Sequence, residues 1–303
     1  MIDAPATLAT QAPEASGDRP LLDIRDLRVA YPGRGLRRKP IEILHGVSLD
    51  VRAGETVGLV GESGSGKSTL GRAALGLAPV TGGTITLDGE DIAHATRARR
   101  RELAVDLQVI FQDPYSSLSP SLTVGDTLAE PLRARGVGAK DAARRVRDLL
   151  DLVHLPSDAA HRLPREFSGG QRQRVAIARA IALEPRLIVC DEPVSALDLT
   201  TQARILELLL EVQVRTGVAY LFVSHDLNVV RVLCHRVAVM RGGEIVEWGD
   251  GDTVTSTPSH PYTQRLLLAS PVANPTIQAE RRVALQSAAQ NPIAAANEPK
   301  EAS

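Results

Sequence analysis

The sequence has few cysteines, almost no net charge and no long apolar run. Among 303 residues there are two cysteines, Cys190 and Cys234. No pairing framework or metal-ligand spacing surrounds them, which excludes a disulfide-stapled domain and a zinc module. Cys190 closes the apolar run Leu187–Cys190, where a small buried hydrophobe is the default. A reducing compartment fits. The formal net charge is −1, so no global basic field calls for nucleic acid as a partner. The arginine clusters at Arg97–Arg101 and Arg144–Arg147 read as solvated helix faces. No apolar stretch reaches the roughly 18 residues needed to span a bilayer. The first residues lack a basic start followed by an apolar core, so no signal peptide is expected. No internal repeat is evident.

What is present is centred on Gly61-Glu62-Ser63-Gly64-Ser65-Gly66-Lys67-Ser68-Thr69, which reads G-x-x-x-x-G-K-[ST]. An apolar strand, Thr56 to Val60, leads in, and a helix-forming run, Thr69 to Leu77, leads out. Glycines let the backbone wrap an anion and aim N–H groups at it. The helix N-terminus adds its positive end. Lys67 supplies a point charge for β- and γ-phosphates, and Ser68 a hydroxyl for Mg²⁺. This predicts a nucleoside triphosphate as ligand.

Composition predicts a disordered tail over residues 1–20 and a second over 291–303. Strand-like alternation runs from Leu22 to Tyr31, from Val47 to Val51, and from Thr84 to Leu87 before an Asp88-Gly89 turn. These antiparallel strands are expected beside the nucleotide strand. Asp91 to about Ala104 reads as a basic helix, and Leu107 to Phe111 as a short strand ending at Gln112. The helix-rich span from Leu122, within about 113–183, reads as a helical subdomain inserted into an α/β body. Later strands, Arg186–Cys190 and Val218–Val223, alternate with helices, so a mainly parallel sheet follows, with ligands at strand C-termini.

Three apolar strands end in polar residues. Leu187 to Cys190 ends in Asp191 and Glu192, the first suited to Mg²⁺. If the strand persists, Glu192 points across the pleat, where it can polarise an attacking water. His225 follows the next strand and can contact a γ-phosphate or hold Glu192 and the water in line. Gln112 ends the third. Separately, Ser168-Gly169-Gly170-Gln171 caps a helix and bares its first N–H groups. One nucleotide needs no second γ-phosphate site, whereas two chains packed head to tail would use both.

In this order the phosphate loop, Gln112, Ser168-Gly169-Gly170-Gln171, Asp191-Glu192, Ser195-Ala196-Leu197-Asp198 and His225 resemble the nucleotide-binding subunit of an ATP-binding cassette (ABC) transporter. The likeness covers about residues 21–250 and implies an ABC ATPase domain over 21–256 with the ABC cassette fold: a parallel core, an antiparallel β subdomain and a helical insert. It implies ATP and Mg²⁺ as cofactors. It gives Tyr31 to the adenine, residues Gly61 to Thr69 to the phosphates, and Ser68, Gln112 and Asp191 to the metal. Glu192 becomes the general base and His225 the switch. Ser168, Gly169, Gly170 and Gln171 contact the nucleotide of an opposite subunit, and Asp198 belongs to the loop touching that subunit. Phe167 stands where the family usually has leucine, one apolar anchor for another.

Val109 to Pro120 and Ser259-His260-Pro261-Tyr262-Thr263-Gln264-Arg265-Leu266-Leu267 resemble ATPases of dipeptide and oligopeptide importers, the latter opening a C-terminal extension over 257–290. The expected setting is the cytoplasmic face of a bacterial inner membrane. The expected partners are a second ATPase subunit, identical or paralogous, two transmembrane permease subunits and, indirectly, a solute-binding protein. Import of nickel or another small solute stays open, as does a soluble ABC ATPase of translation or DNA repair. A GTPase would carry an Asn-Lys-x-Asp element, which is absent.

Overall fold

A computed structural model of the chain describes residues 19–33, 39–113 and 118–269. The expected tail up to residue 18, residues 114–117 of the importer-like stretch, residues 270–290 of the extension and the tail at 291–303 lie outside the described residues.

Among the described residues, ten strands form two sheets. One is antiparallel, ordered β2-β1-β4-β5 from Ile41–Val51, Leu22–Tyr31, Val80–Leu87 and Glu90–Asp91. The other is ordered β10-β9-β3-β8-β7-β6, from Glu244–Asp250, Arg236–Arg241, Thr56–Val60, Ala219–Ser224, Leu187–Asp191 and Leu107–Ile110. All its pairings are parallel except β9 with β10. The nucleotide strand β3 therefore has parallel neighbours on both sides. The antiparallel strands expected beside it make a sheet of their own, with β2 and β4 both pairing with β1.

Side-chain alternation explains how the sheets pack. In β3, β7 and β8 every residue up to the strand end is buried, the mark of a sheet covered on both faces. Val57, Leu59, Val189, Leu221 and Val223 face one core, shared with Leu22, Ile24 and Leu49 of the antiparallel sheet. Helix α1 (Lys67–Ala74) joins that core through Leu70 and Ala73. Ile188, Cys190, Tyr220 and Phe222 face the other. Between β6 and β7 the chain forms helices α3 (Val124–Ala134), α4 (Ala139–Leu152) and α5 (Gly169–Ala180), after α2 (Arg97–Leu103). Leu128, Leu149 and Val175 carry these three into the second core. So do Leu209 of α6 (Leu199–Thr216), Val230 of α7 (Leu227–Leu233) and Val254 of α8 (Gly251–Ser256). Gly58 sits under α7, where a Cβ would lie 2.5 Å from Val230 Cγ1 and 2.9 Å from Cys234 Sγ.

The helix expected from Asp91 starts only at Arg97. Asp91 is held in β5, pairing with Thr86, and Thr96 caps the helix by accepting the Arg99 N–H. The arginines of α2 are engaged locally: Arg99 pairs with Glu90 and Glu102, and Arg100 reaches the Ile92 carbonyl.

Arg236 ties the two sheets together. Its guanidinium donates to Asp50 Oδ2 at the end of β2 (2.8 Å) and to Glu55 Oε2 (2.8 Å), and lies 4.8 Å from the Trp248 ring centroid. Burial alone would push the Asp50 carboxyl up, but the Arg236 hydrogen bond and charge outweigh it and hold the group below its usual value.

Candidate nucleotide-binding site

Strand β3 delivers the chain to Gly61 at the C-terminal edge of the parallel sheet. The turn that follows is accessible to glycine: Gly61 and Gly66 have φ of +154° and +105°. A Cβ on Gly61 would lie 2.2 Å from the Met240 carbonyl oxygen. The loop bounds a cavity of about 790 Å³, lined by Gly61–Gly64 and by Gly66–Thr69. Gln112, Glu192 and His225 complete its polar wall, with Ile43 and Leu266 as apolar members.

Lys67 is buried, and its Nζ donates to the carbonyl oxygens of Gly61 and Glu62, each at 2.8 Å. Its contact with Ser65 Oγ is longer, at 3.5 Å. Desolvation lowers the Lys67 pKa, while the charges of Glu192, Asp191 and Glu62 oppose that shift. Ser68 Oγ donates to Asp191 Oδ1 at 2.8 Å, joining the start of α1 to the end of β7.

Glu192 departs from the expected geometry. The strand does not persist to it: β7 ends at Asp191, and Glu192 has a left-handed φ of +50°. Its N–H donates to the Val223 carbonyl of β8 (3.1 Å), and its carbonyl accepts from Ser195 Oγ (3.1 Å). That turn, not pleat alternation, aims the side chain. Glu192 Oε2 lies 3.1 Å from His225 Nδ1. An ionised carboxylate only accepts, so Nδ1 carries the proton and Nε2 is the imidazole's open position.

The cavity sets one ammonium, Lys67, against Glu62, Asp191 and Glu192. A triphosphate added to that balance calls for a divalent cation. The available donors, Ser68 Oγ, Asp191 Oδ1 and the Gln112 side chain, are hard oxygens, with one carboxylate and room for phosphate. That set fits Mg²⁺, which binds through one or two carboxylates plus substrate oxygens.

The remaining expected residues lie elsewhere. Ser168 caps α5, its Oγ accepting the Gln171 N–H (3.3 Å) while Gln171 Oε1 accepts the Ser168 N–H (2.9 Å). Asp198 caps α6 through the Thr201 N–H (2.9 Å) and accepts the Thr201 hydroxyl (2.7 Å). The two caps are neighbours: a Cβ on Gly169 would lie 3.6 Å from Leu197, and one on Gly170 2.4 Å from Thr201 Cγ2. Neither Ser168–Gln171 nor Asp198 lines the cavity. Tyr31 also lies off it, half-buried on β1 opposite Ile41.

The sequence profile of the ABC transporter family matches residues 44–195, from within β2 through the turn after Glu192. The chain belongs to the ABC transporter family. It is 50% identical over 271 residues to the glutathione import ATP-binding protein GsiA of Escherichia coli, covering 88% of this chain and 44% of that protein. It is 50% identical over 269 residues to the oligopeptide transport ATP-binding protein OppD of Mycobacterium tuberculosis, covering 87% and 44%. The chain thus spans less than half the length of these curated relatives. Among solved structures, the ABC transporter protein cbiO1 of Clostridium perfringens superimposes with a TM-score of 0.70 at 26% identity, covering 78% of this chain and 91% of that one. The ATP-binding cassette MJ0796, a dimer bound to ADP and Pi, gives a TM-score of 0.67 at 30% identity, covering 76% and 98%. The ABC cassette fold is therefore established.

Sequence reasoning missed two parts of this ABC site. Leu266 lines the cavity, and the Tyr262 hydroxyl accepts the Glu62 N–H at 3.0 Å. Both come from α9 (Pro261–Ala269), read in the sequence only as a mark of subfamily. A tyrosine inside a short motif of an aromatic-poor chain was the available signal.

Proposed function

We propose that the chain is the ATP-hydrolysing subunit of an importer of di- and oligopeptides, working at the cytoplasmic face of a bacterial inner membrane. The observation that carries the reading is one cavity lined by the phosphate loop, Gln112 and the Glu192–His225 pair, with its Ser68 bonded to Asp191. Peptide as cargo is supported by the 50% identity to proteins named for glutathione and oligopeptide import. No helix among the described residues is long and apolar enough to cross a membrane.

The phosphate loop binds the triphosphate. Two of the three Lys67 ammonium protons are held by loop carbonyls; the third, weakly placed on Ser65, is free to turn to a phosphate oxygen. Ser68, Asp191 and Gln112 would hold Mg²⁺, whose charge neutralises the phosphate oxygens. Glu192 accepts the proton of the attacking water, and His225 fixes the carboxylate through its Nδ1–H. Positioning and charge neutralisation supply most of the rate.

Ser168 and Asp198, adjacent to each other but off this cavity, serve the nucleotide of a second ATPase subunit, identical or paralogous. Permease docking is supported by a separate groove of about 890 Å³ beside β6, lined by Val109, Phe111, Pro131 and Ala176 and rimmed by Arg101 and Arg135. Phe111 is 38% exposed there.

The test is to purify the tagged full chain from its own cells in mild detergent. Two polytopic membrane subunits should accompany it, and magnesium-dependent ATP hydrolysis should rise when the peptide-loaded binding protein is added. Recovery of ribosomes or DNA in place of membrane subunits would overturn the reading.

A further inference from the structure

The phosphate loop is shaped from outside as well as from within. We propose that Tyr262 is a positioning residue of the phosphate loop, its hydroxyl accepting the Glu62 N–H and fixing the loop in the form that receives phosphates. This rests on the nucleotide-binding reading above.

Glu62 joins the tyrosine to the loop. Its N–H goes to Tyr262 Oη at 3.0 Å. Its carbonyl accepts from Lys67 Nζ (2.8 Å) and from the Ser65 N–H (3.2 Å). One residue therefore links the tyrosine hydroxyl to the ammonium that meets the phosphates. Without the hydroxyl, the amide at the loop's entry loses its partner, and the loop samples other turns. Binding must then select the competent turn from a mixture, which weakens apparent affinity by the fraction lost.

The tyrosine is itself held firmly. It is 4% exposed, and the Arg241 guanidinium, at the end of β9, lies 5.3 Å from its ring centroid. Glu247 of β10 pins the approach to α9, accepting the Ser259 N–H (2.7 Å), the Ser259 hydroxyl (2.8 Å) and the His260 N–H (3.3 Å). One turn beyond Tyr262, Leu266 reaches the cavity wall while it packs, with Leu267, against the core. Helix α9 is thus anchored at its start by a carboxylate and along its length by apolar contact. The hydroxyl meets Glu62 from a fixed support, 200 residues away in sequence.

The experiment is Tyr262→Phe in the full chain, which keeps the ring and its Arg241 contact and removes only the oxygen. Three readouts are taken: ATP affinity with magnesium by calorimetry, steady-state hydrolysis, and amide hydrogen exchange. The dissociation constant and KM for ATP should rise about 3–10-fold, the reach of one hydrogen bond. The kcat at saturating ATP should hold, because bound phosphates order the loop. Protection of the Glu62 amide should be lost while β8 amides keep theirs. Wild-type ATP affinity in Tyr262→Phe, or an unchanged Glu62 amide, overturns the assignment. A matched fall in kcat with unchanged KM overturns it too. Lys67→Ala, run alongside, separates the two claims. If it binds ATP as well as wild type, the nucleotide reading fails and this one with it.

Discussion

Replacing Glu192 by glutamine isolates basicity from shape. The side chains are isosteric, and an amide oxygen can still accept from His225 Nδ1 across the 3.1 Å contact. Glutamine at a φ of +50° carries the same backbone strain as glutamate, so thermal stability should not change. What is lost is the group that takes the water's proton. General-base catalysis contributes about 10²–10⁴-fold, equivalent to ~2.7–5.5 kcal/mol of barrier. Binding should go the other way. Of the three carboxylates acting on Lys67, Glu192 acts most strongly, and neutralising it removes a negative charge that opposes the phosphates. ATP should bind as tightly as before, or more so, and persist unhydrolysed. Phosphate release gives the turnover, and sedimentation with ATP and magnesium shows whether the trapped state is a dimer. Turnover near wild type would remove Glu192 from its role. A fall in turnover matched by weaker ATP binding would mean that it acts as a ligand, not a base.

Lys67→Ala should abolish measurable ATP affinity while the fold persists, because its partners are carbonyls that water can satisfy; calorimetry checks this. Arg236→Met should destabilise the chain by roughly 2–4 kcal/mol in urea, since it leaves the Asp50 and Glu55 carboxylates without their cation. The Asp50 pKa is lowered in the folded state, so its stabilisation is complete above the unfolded value of 3.8 and is lost as pH falls through the lower folded value. The acid limb of the urea-midpoint profile should accordingly flatten in Arg236→Met. Gly58→Ala should cost about 1–3 kcal/mol, because its Cβ meets Val230 at 2.5 Å and α7 must shift.

The phosphate loop could be read from the sequence because every part of it is local. Glycine spacing, the leading strand and the following helix lie within about twenty residues and obey short-range rules. That β3, β7 and β8 lie in a parallel sheet was legible too, because continuous apolar runs alternating with helices mark strands buried on both faces. Glu192 was not legible in the same way. Alternation predicts its direction only while the strand continues, and the left-handed turn at Glu192 ends it one residue early. The start of α2 misled because Asp91 and Thr96 are both competent caps, and the choice was made by pairing with β4. Tyr262 was hidden by distance. Nothing in local sequence says that a helix past the last strand returns to the first loop.

The burial of both thiols has a practical consequence. Cys190 lies directly before Asp191, and Cys234 packs against Gly58 at the end of α7, each shielded so that burial pushes the thiol's pKa up. Only thiolates react readily with maleimides or disulfide reagents. The native chain should therefore be silent to such labels, and any adduct reports that the sheet beneath the nucleotide has opened. A cysteine placed on the outer surface could then carry a dye alone, with both natural thiols left in place.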